Sequence, residues 1–442
     1  LEEIPLTEIL ITRVRPYGEE CVDIRIVGER IAEIGSSLEA GNALVVNGQD
    51  RVALPSFVDL HTHLREPGRE DAETIATGSR AAAKGGFSAV FAMANTSPVA
   101  DSAGVVEQVW RIGKEVGYVD VFPIGAVTVG IAGERLAELG AMANSAAHVR
   151  VFSDDGNCVS DPLLMRRALE YVKTFGGVIA QHAQEPRLTE GAQMNESELS
   201  SSLGLAGWPA VAEEAIIARD ILLASHVNSR LHICHVSTAG SVDLIRWAKN
   251  RGVDVTAEVT PHHLLLTQEL ATGYDPVYKV NPPLRAESDV MALRAGLADG
   301  TIDIVATDHA PHPHEAKDCE WNAAAFGMLG LETALGAVVL SMSQLPEWDW
   351  RTLSDRMSAT PALIGQALDH GRPIAVGEPA NIVIVDTQVE KVIDPSEFAS
   401  ISRNSPYRAM TLPTSISDVF FRGRHVVRAG AVVEIGEVNS YD

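Results

Sequence analysis

At 442 residues the chain is longer than one hydrophobic core usually needs and suits a barrel of about 250–300 residues beside a smaller module. A hydrophobic fraction of 46% with a mean hydropathy of +0.06 fits a globular enzyme, and no apolar run reaches the roughly 18–20 residues that span a bilayer. The net charge of −24 excludes nucleic acid and anionic membranes as partners, and it requires any anionic substrate to be met by locally concentrated positive charge.

In chain order, Cys21–Ile34 and Ala43–Val52 read as short strands, with Gly28 and Gly48 expected in turns. Eight strand-like runs follow, near Leu54–His63, Phe87–Ala94, Val119–Ala126, His148–Ser153, Gly177–His182, Arg230–His235, Asp254–Val259 and Asp303–Thr307. Helical segments separate most of them, such as Ala72–Lys84 with its Gly85-Gly86 stop, Pro162–Phe175 before Gly176-Gly177, and Pro209–Ala224. Alternating strands and helices imply a parallel sheet, here an α/β (β/α)8 barrel of the TIM type. Ala380–Val385 and Val419–Ile435, with Gly423 and Gly430, read as strands again. The expected plan is a β-sandwich built from both termini, residues 1–53 and 363–442, around a barrel over 54–362.

Six potential metal ligands each sit where an apolar run gives way to a polar loop: His61, His63, Asp155, His182, His235 and Asp308. A strand alternates its side chains, so His61 and His63 at i and i+2 share a face and can grip one ion. The C-terminal ends of barrel strands converge on one mouth, which brings ligands far apart in sequence to one site. Asp154 and Asp155 compete for one role, because neighbours on an extended chain point apart. Isolated histidines in apolar surroundings, His148, His226 and His232, are expected to be core or hydrogen-bonding residues. Cys21, Cys158, Cys234 and Cys319 lack the spacing of a disulfide framework or a zinc knuckle. The N-terminus shows no basic-then-apolar leader, so the cytoplasm is the expected location.

Around these residues, DLHTHLREPG (Asp59–Gly68), MANTSP (Met93–Pro98), FSDDG (Phe152–Gly156), HICHVST (His232–Thr238), EVTPHHL (Glu258–Leu264), VNPPLR (Val280–Arg285) and ATDHAPH (Ala306–His312) stand in order. The set resembles class I dihydroorotases of the amidohydrolase superfamily from about Leu54 to Thr360, and the terminal segments fit that family's appended sandwich. The resemblance implies a zinc enzyme with one or two Zn2+ per chain that interconverts N-carbamoyl-L-aspartate and L-dihydroorotate in pyrimidine synthesis. Its spacing to His182 favours Asp155 over Asp154 as the bridging ligand. Hydantoinases and allantoinases use a carboxylated Lys on the fourth strand; His148–Pro162 contains none, and Arg150 presents no oxygen ligand. A third possibility, a catalytically dead scaffold for a carbamoyltransferase, is opposed by the retention of all six ligands.

The same resemblance assigns roles. Zn2+ lowers the pKa of a water it binds to about 7, which supplies a nucleophile at neutral pH, and Asp308 would contact the metal and carry the nucleophile's proton to the leaving nitrogen. Arg65, Asn95 and His312 would hold the substrate carboxylate, with His63 also beside the substrate. Asn281 and the main chain at Phe326-Gly327 would hydrogen-bond the ring imide, while His262 and His263 fit supporting roles better than direct ones. The sequence departs from the family at Pro313-His314-Glu315-Ala316-Lys317, and at Arg408-Ala409, where a Gly-containing turn is expected. The long connection after Asp308 is expected to act as a lid, with Glu315–Ala325 mobile until ligand binds. The expected partners are a small-molecule substrate and further copies of the chain in a homo-oligomer, and family members' assembly with aspartate carbamoyltransferase suggests that enzyme as well.

Overall fold

The computed structural model describes residues 8–346 and 348–435. Each of the eight central runs contains a parallel strand. The chain opens with β1 (Glu8–Pro16), β2 (Val22–Val27), β3 (Arg30–Gly35) and β4 (Leu44–Pro55), then enters β5 (Phe57–Thr62), β6 (Phe87–Ala92), β7 (Asp120–Pro123), β8 (Val151–Phe152) and β9 (Val178–Gln181). A short pair, β10 (Met194–Asn195) and β11 (Gly207–Trp208), precedes β12 (Leu231–Ile233), β13 (Val255–Val259) and β14 (Ile304–Val305). The chain closes with β15 (Ile382–Val392), β16 (Thr411–Phe421), β17 (Arg424–Arg428) and β18 (Ala431–Val432).

The parallel strands form one sheet in the order β5-β6-β7 and another in the order β14-β13-β12-β9-β8. Their outer strands meet through single parallel bridges, Gly125 to Phe152 on one side and Thr62 to His309 on the other. Near-continuous apolar runs such as Phe87–Ala92, buried at every position, suit strands covered on both faces. Helices supply the cover, and their ends are written locally. Thr74 and Thr77 form a capping box at the start of Ile75–Lys84, and Asp161 caps Leu164 N ahead of Pro162. His148 and His226, expected inside or hydrogen-bonded, are exposed. His148 sits at φ 48 in the turn before β8 and His226 in the last turn of helix Val211–Val227, where a histidine complements the helix dipole.

Both ends of the chain enter one eight-stranded sheet, β18-β17-β16-β15-β4-β1-β2-β3. Strand alternation buries both of its faces. Ile382 and Ile384 pack with Ile9, Ile11, Ile24 and Ile26, whereas Val383 and Val385 join the core beneath the helices. Strand β1 and the long first half of β16 were not read from the sequence. Gly48, expected in a turn, lies inside β4, where a Cβ would come within 2.1 Å of Val14 Cγ1; it marks a close approach between strands. Ala409 takes φ 62 without a glycine.

Candidate metal centre and substrate pocket

All six predicted ligands gather at the C-terminal ends of the parallel strands, and all are buried. His61 lies at the end of β5, with His63 just past it. Asp155 follows β8, His182 follows β9, His235 follows β12 and Asp308 follows β14. His235 (φ 31) and Asp308 (φ 46) are non-glycine residues in left-handed backbone, a cost that structures retain where a side chain must be aimed.

Asp155 is the hub. Its Oδ1 lies 3.1 Å from His182 Nδ1 and 3.4 Å from both His235 Nε2 and His61 Nε2, and its Oδ2 lies 3.3 Å from His63 Nε2. The ligand atoms of His61, His63 and Asp155 fall within 4.8 Å of one another, as do those of Asp155, His182 and His235. The two triads therefore share one carboxylate. Asp308 Oδ1 adjoins the first, 3.1 Å from His63 Nε2 and 3.4 Å from His61 Nε2. Asp154 instead accepts from Val127 N (2.8 Å) and Thr128 N (2.9 Å), which fixes the loop after β7.

The donor set fits a cation. His61 Nδ1 donates to Glu258 Oε1 (2.6 Å), His63 Nδ1 to Asn95 Oδ1 (2.9 Å) and His182 Nε2 to Gln184 Oε1 (2.8 Å). Each bond leaves the opposite nitrogen with its lone pair directed into the cluster. His182 Nδ1 and His235 Nε2 face each other at 2.9 Å, and the buried His61 Nε2 has no hydrogen-bond partner among the described residues. Burial opposes charge on Asp155, yet His61 and its other imidazole partners hold it well below the usual carboxylate range. Burial likewise opposes a proton on His61, and the carboxylates of Asp155, Glu258 and Asp308 outweigh it, raising His61 well above the histidine range. A field that holds a proton there would also hold a metal ion.

Glu258 escaped the sequence reading. Its fully buried carboxylate takes His61 on one oxygen and His232 Nε2 (3.0 Å) on the other, while His232 Nδ1 meets Thr256 Oγ1 at 2.8 Å. Although burial resists its charge, His61 and His232 hold it down at about 2. His232, expected to be a core or hydrogen-bonding residue, is thus joined to the cluster through Glu258. Replacing Glu258 with Gln preserves volume but offers an N–H to one imidazole, so metal affinity should fall by about 10- to 100-fold. Competition against a chelator measures this, and wild-type affinity in Glu258→Gln would reduce Glu258 to a packing role.

Arg65 lies beside the cluster, 8% exposed and at φ 62, with Nε donating to Pro311 O (3.0 Å). Burial, with Arg69 nearby, lowers it to about 10, so it stays charged at neutral pH. No ion pair among the described residues involves it, although other buried guanidiniums such as Arg285 approach carboxylates. Asn95 is engaged at both ends, since its Nδ2 also donates to Asp155 O (3.2 Å). His312 Nε2 donates to Phe326 O (2.7 Å), and its buried Nδ1 has no partner among the described residues. Burial and the nearby Arg65 push His312 down to about 3, so it is neutral and its Nδ1 is an acceptor. Asn281 Nδ2 donates to Gln184 Oε1 (3.0 Å), and its buried Oδ1 is unpartnered among the described residues. Gly327, at φ 135, donates its N–H to Lys279 O (3.0 Å). His263 is tied at both nitrogens, to Thr260 Oγ1 and Pro282 O, whereas His262 has an unpartnered Nε2 and is lowered to about 4 by burial.

A family description for dihydro-orotase-like proteins matches residues 50–241. The dihydroorotase of Streptomyces coelicolor is 65% identical over 419 residues, covering 95% of this chain and 98% of the relative. That of Leifsonia xyli subsp. xyli is 66% identical over 412 residues, with 93% and 94% covered, and that of Mycobacterium tuberculosis is 54% identical over 426 residues, with 96% and 99% covered. Among solved structures, an L-hydantoinase from Arthrobacter aurescens superimposes with a TM-score of 0.85 at 23% identity, covering 96% of this chain and 97% of that one. A dihydropyrimidinase from Brevibacillus agri gives 0.82 at 23% identity, with 97% and 96% covered. At that identity the likeness shows that the chain shares the α/β fold of these two enzymes and nothing about substrate. Sequence identity above half along nearly the whole of both chains settles the family: the chain belongs to the dihydroorotases.

Proposed function

We propose that this chain is a zinc-dependent cyclic amidohydrolase interconverting N-carbamoyl-L-aspartate and L-dihydroorotate. The observation that carries the substrate assignment is Arg65, a buried guanidinium that forms no ion pair among the described residues, at the edge of a metal-type cluster. An unpaired buried cation is expensive, and an anionic substrate group that ends in the same place relieves it.

In this reading His61, His63, Asp155, His182, His235 and Asp308 hold one or two Zn2+, which would supply a nucleophilic water at neutral pH and polarise the scissile carbonyl. Arg65 binds the carboxylate through its planar fork. Asn95 keeps His63 in the right tautomer and adjoins the carboxylate. His312 contributes to the same pocket as a donor only after taking up a second proton, which the approaching carboxylate favours. Asn281 Oδ1 and the Phe326-Gly327 main chain meet the ring imide. Asp308 accepts the proton of the attacking water and returns it to the ring nitrogen as the amide bond breaks; in ring closure it takes the ureido proton. We read the parallel strands as one (β/α)8 barrel over 54–362 and the terminal sheet as a sandwich of residues 1–53 and 363–442.

Substrate choice tests this. Unsubstituted dihydrouracil leaves Arg65 without its paired contact, a loss on the order of 2–4 kcal/mol or roughly 30- to 1000-fold in kcat/KM. Comparable kcat/KM values for dihydroorotate and dihydrouracil would refute the assignment.

A further inference from the structure

Two lysines remain once the site is accounted for. Lys279 Nζ donates to Trp321 O (2.7 Å) and Asn322 O (3.3 Å), and Lys317 Nζ donates to Pro276 O and Lys279 O, both at 3.0 Å. Among the described residues the lysine ion pairs belong to Lys84, Lys114, Lys249 and Lys391; neither Lys279 nor Lys317 has a carboxylate partner. Lys279 is only 2% exposed, and its ammonium lies 4.5 Å over the Phe326 ring.

The carbonyls they hold lie on facing segments. Lys279 reaches from segment 276–281 to loop 312–327, and Lys317 reaches back. The Lys279 carbonyl receives both Lys317 Nζ and the Gly327 amide. Asn281 ends the first segment, and His312, Phe326 and Gly327 belong to the loop, so the clamp joins both halves of the ring-facing wall. Apolar side chains would stabilise such a contact at less cost than one buried and one half-buried amine. Directional donors to chosen carbonyls instead fix register.

We propose that Lys279 and Lys317 are positioning residues that lock loop 312–327 onto segment 276–281 and so set the geometry of the ring-binding wall. This rests on the substrate reading above. It also gives the loop a proton-linked opening. Burial, with Lys279 beside it and Asp275 and Cys319 opposing, lowers Lys317 to about 7. A released Lys317 regains its ordinary affinity for a proton, so opening takes one up. Above pH 7 the clamped amine sheds its charge and keeps two N–H donors for its two carbonyls, and opening becomes rarer as pH rises toward the ordinary lysine range.

The test is hydrogen exchange and steady-state kinetics on the metal-loaded enzyme with Lys279→Met and Lys317→Met. Exchange across 276–281 and 312–327 should rise by about 10- to 100-fold relative to the barrel strands, and KM for dihydroorotate should rise similarly, with metal content kept and kcat changed less than about 3-fold. Exchange at the wild-type rate in these segments, or an unchanged KM beside a lowered melting temperature, overturns the clamp. If both variants fail to fold, the wild type still decides. Opening of 312–327, corrected for intrinsic exchange, must slow between pH 7 and pH 9, and a flat profile overturns the proposal. A wild type that does not turn over dihydroorotate defeats the substrate reading, while the exchange measurements still judge the clamp.

Discussion

Replacing His61, His63 or Asp155 with Ala is expected to lower bound metal and activity together, with kcat/KM falling about 1000-fold or more, as loss of several kcal/mol of metal-derived transition-state stabilisation requires. The three differ in what they leave behind. Without His61, Glu258 loses its 2.6 Å partner and keeps only His232 and the more distant His235 amide, so this variant should also melt lowest. Without Asp155, both triads lose their common ligand, so no metal should remain at either. His63→Ala spares Asp155, His182 and His235 and should retain part of the metal. Elemental analysis of each purified variant beside its turnover decides the matter. An active wild-type enzyme with no metal above background would end the metal reading.

Much of the ligand geometry was legible because strand ends announce themselves. His61-Thr62-His63 closes an apolar run, and so does each of the other ligands, with period-two alternation doing the rest. The neighbouring pair Asp154 and Asp155 needed the third dimension or a family pattern, since both face polar surroundings and only their partners tell them apart. Glu258 was hidden for a related reason. A carboxylate in a strand shows nothing of the imidazoles on other strands that will meet it. Asn95 shows the limit of assigning contacts from a motif. Its amide is engaged by His63 and by the Asp155 main chain, a bond pattern that depends on the approach of two loops sixty positions apart. The terminal sheet was legible in outline from alternation and glycine turns. Strand β1 was missed, although four of its residues are core, because its polar ends blur the period.

The residue that separates binding from chemistry is Asp308. Burial disfavours its charge, but His61 and His63 hold it below the usual carboxylate range, so it is ionised and can accept a proton at neutral pH. Its left-handed backbone and its 3.1 Å approach to His63 Nε2 place that oxygen beside the first triad. Asp308→Asn keeps the shape and one oxygen but cannot take up the proton. The Asp155, His182 and His235 triad does not include Asp308, so at least one metal should persist, and KM should stay within a few-fold because Arg65, Asn281 and the Phe326-Gly327 wall are untouched. The expected result is a fall in kcat of about 100-fold or more, since a positioned acid–base group contributes on that scale, with kcat/KM falling in parallel. The pH profile sharpens the reading. If Asp308 moves the proton, its loss should also flatten the acidic limb of kcat, whereas a ligand lost from the metal should shift affinity and leave that limb in place. A variant with raised KM and near-normal kcat would make Asp308 a binding residue, and the proton path proposed here would have to run through another group.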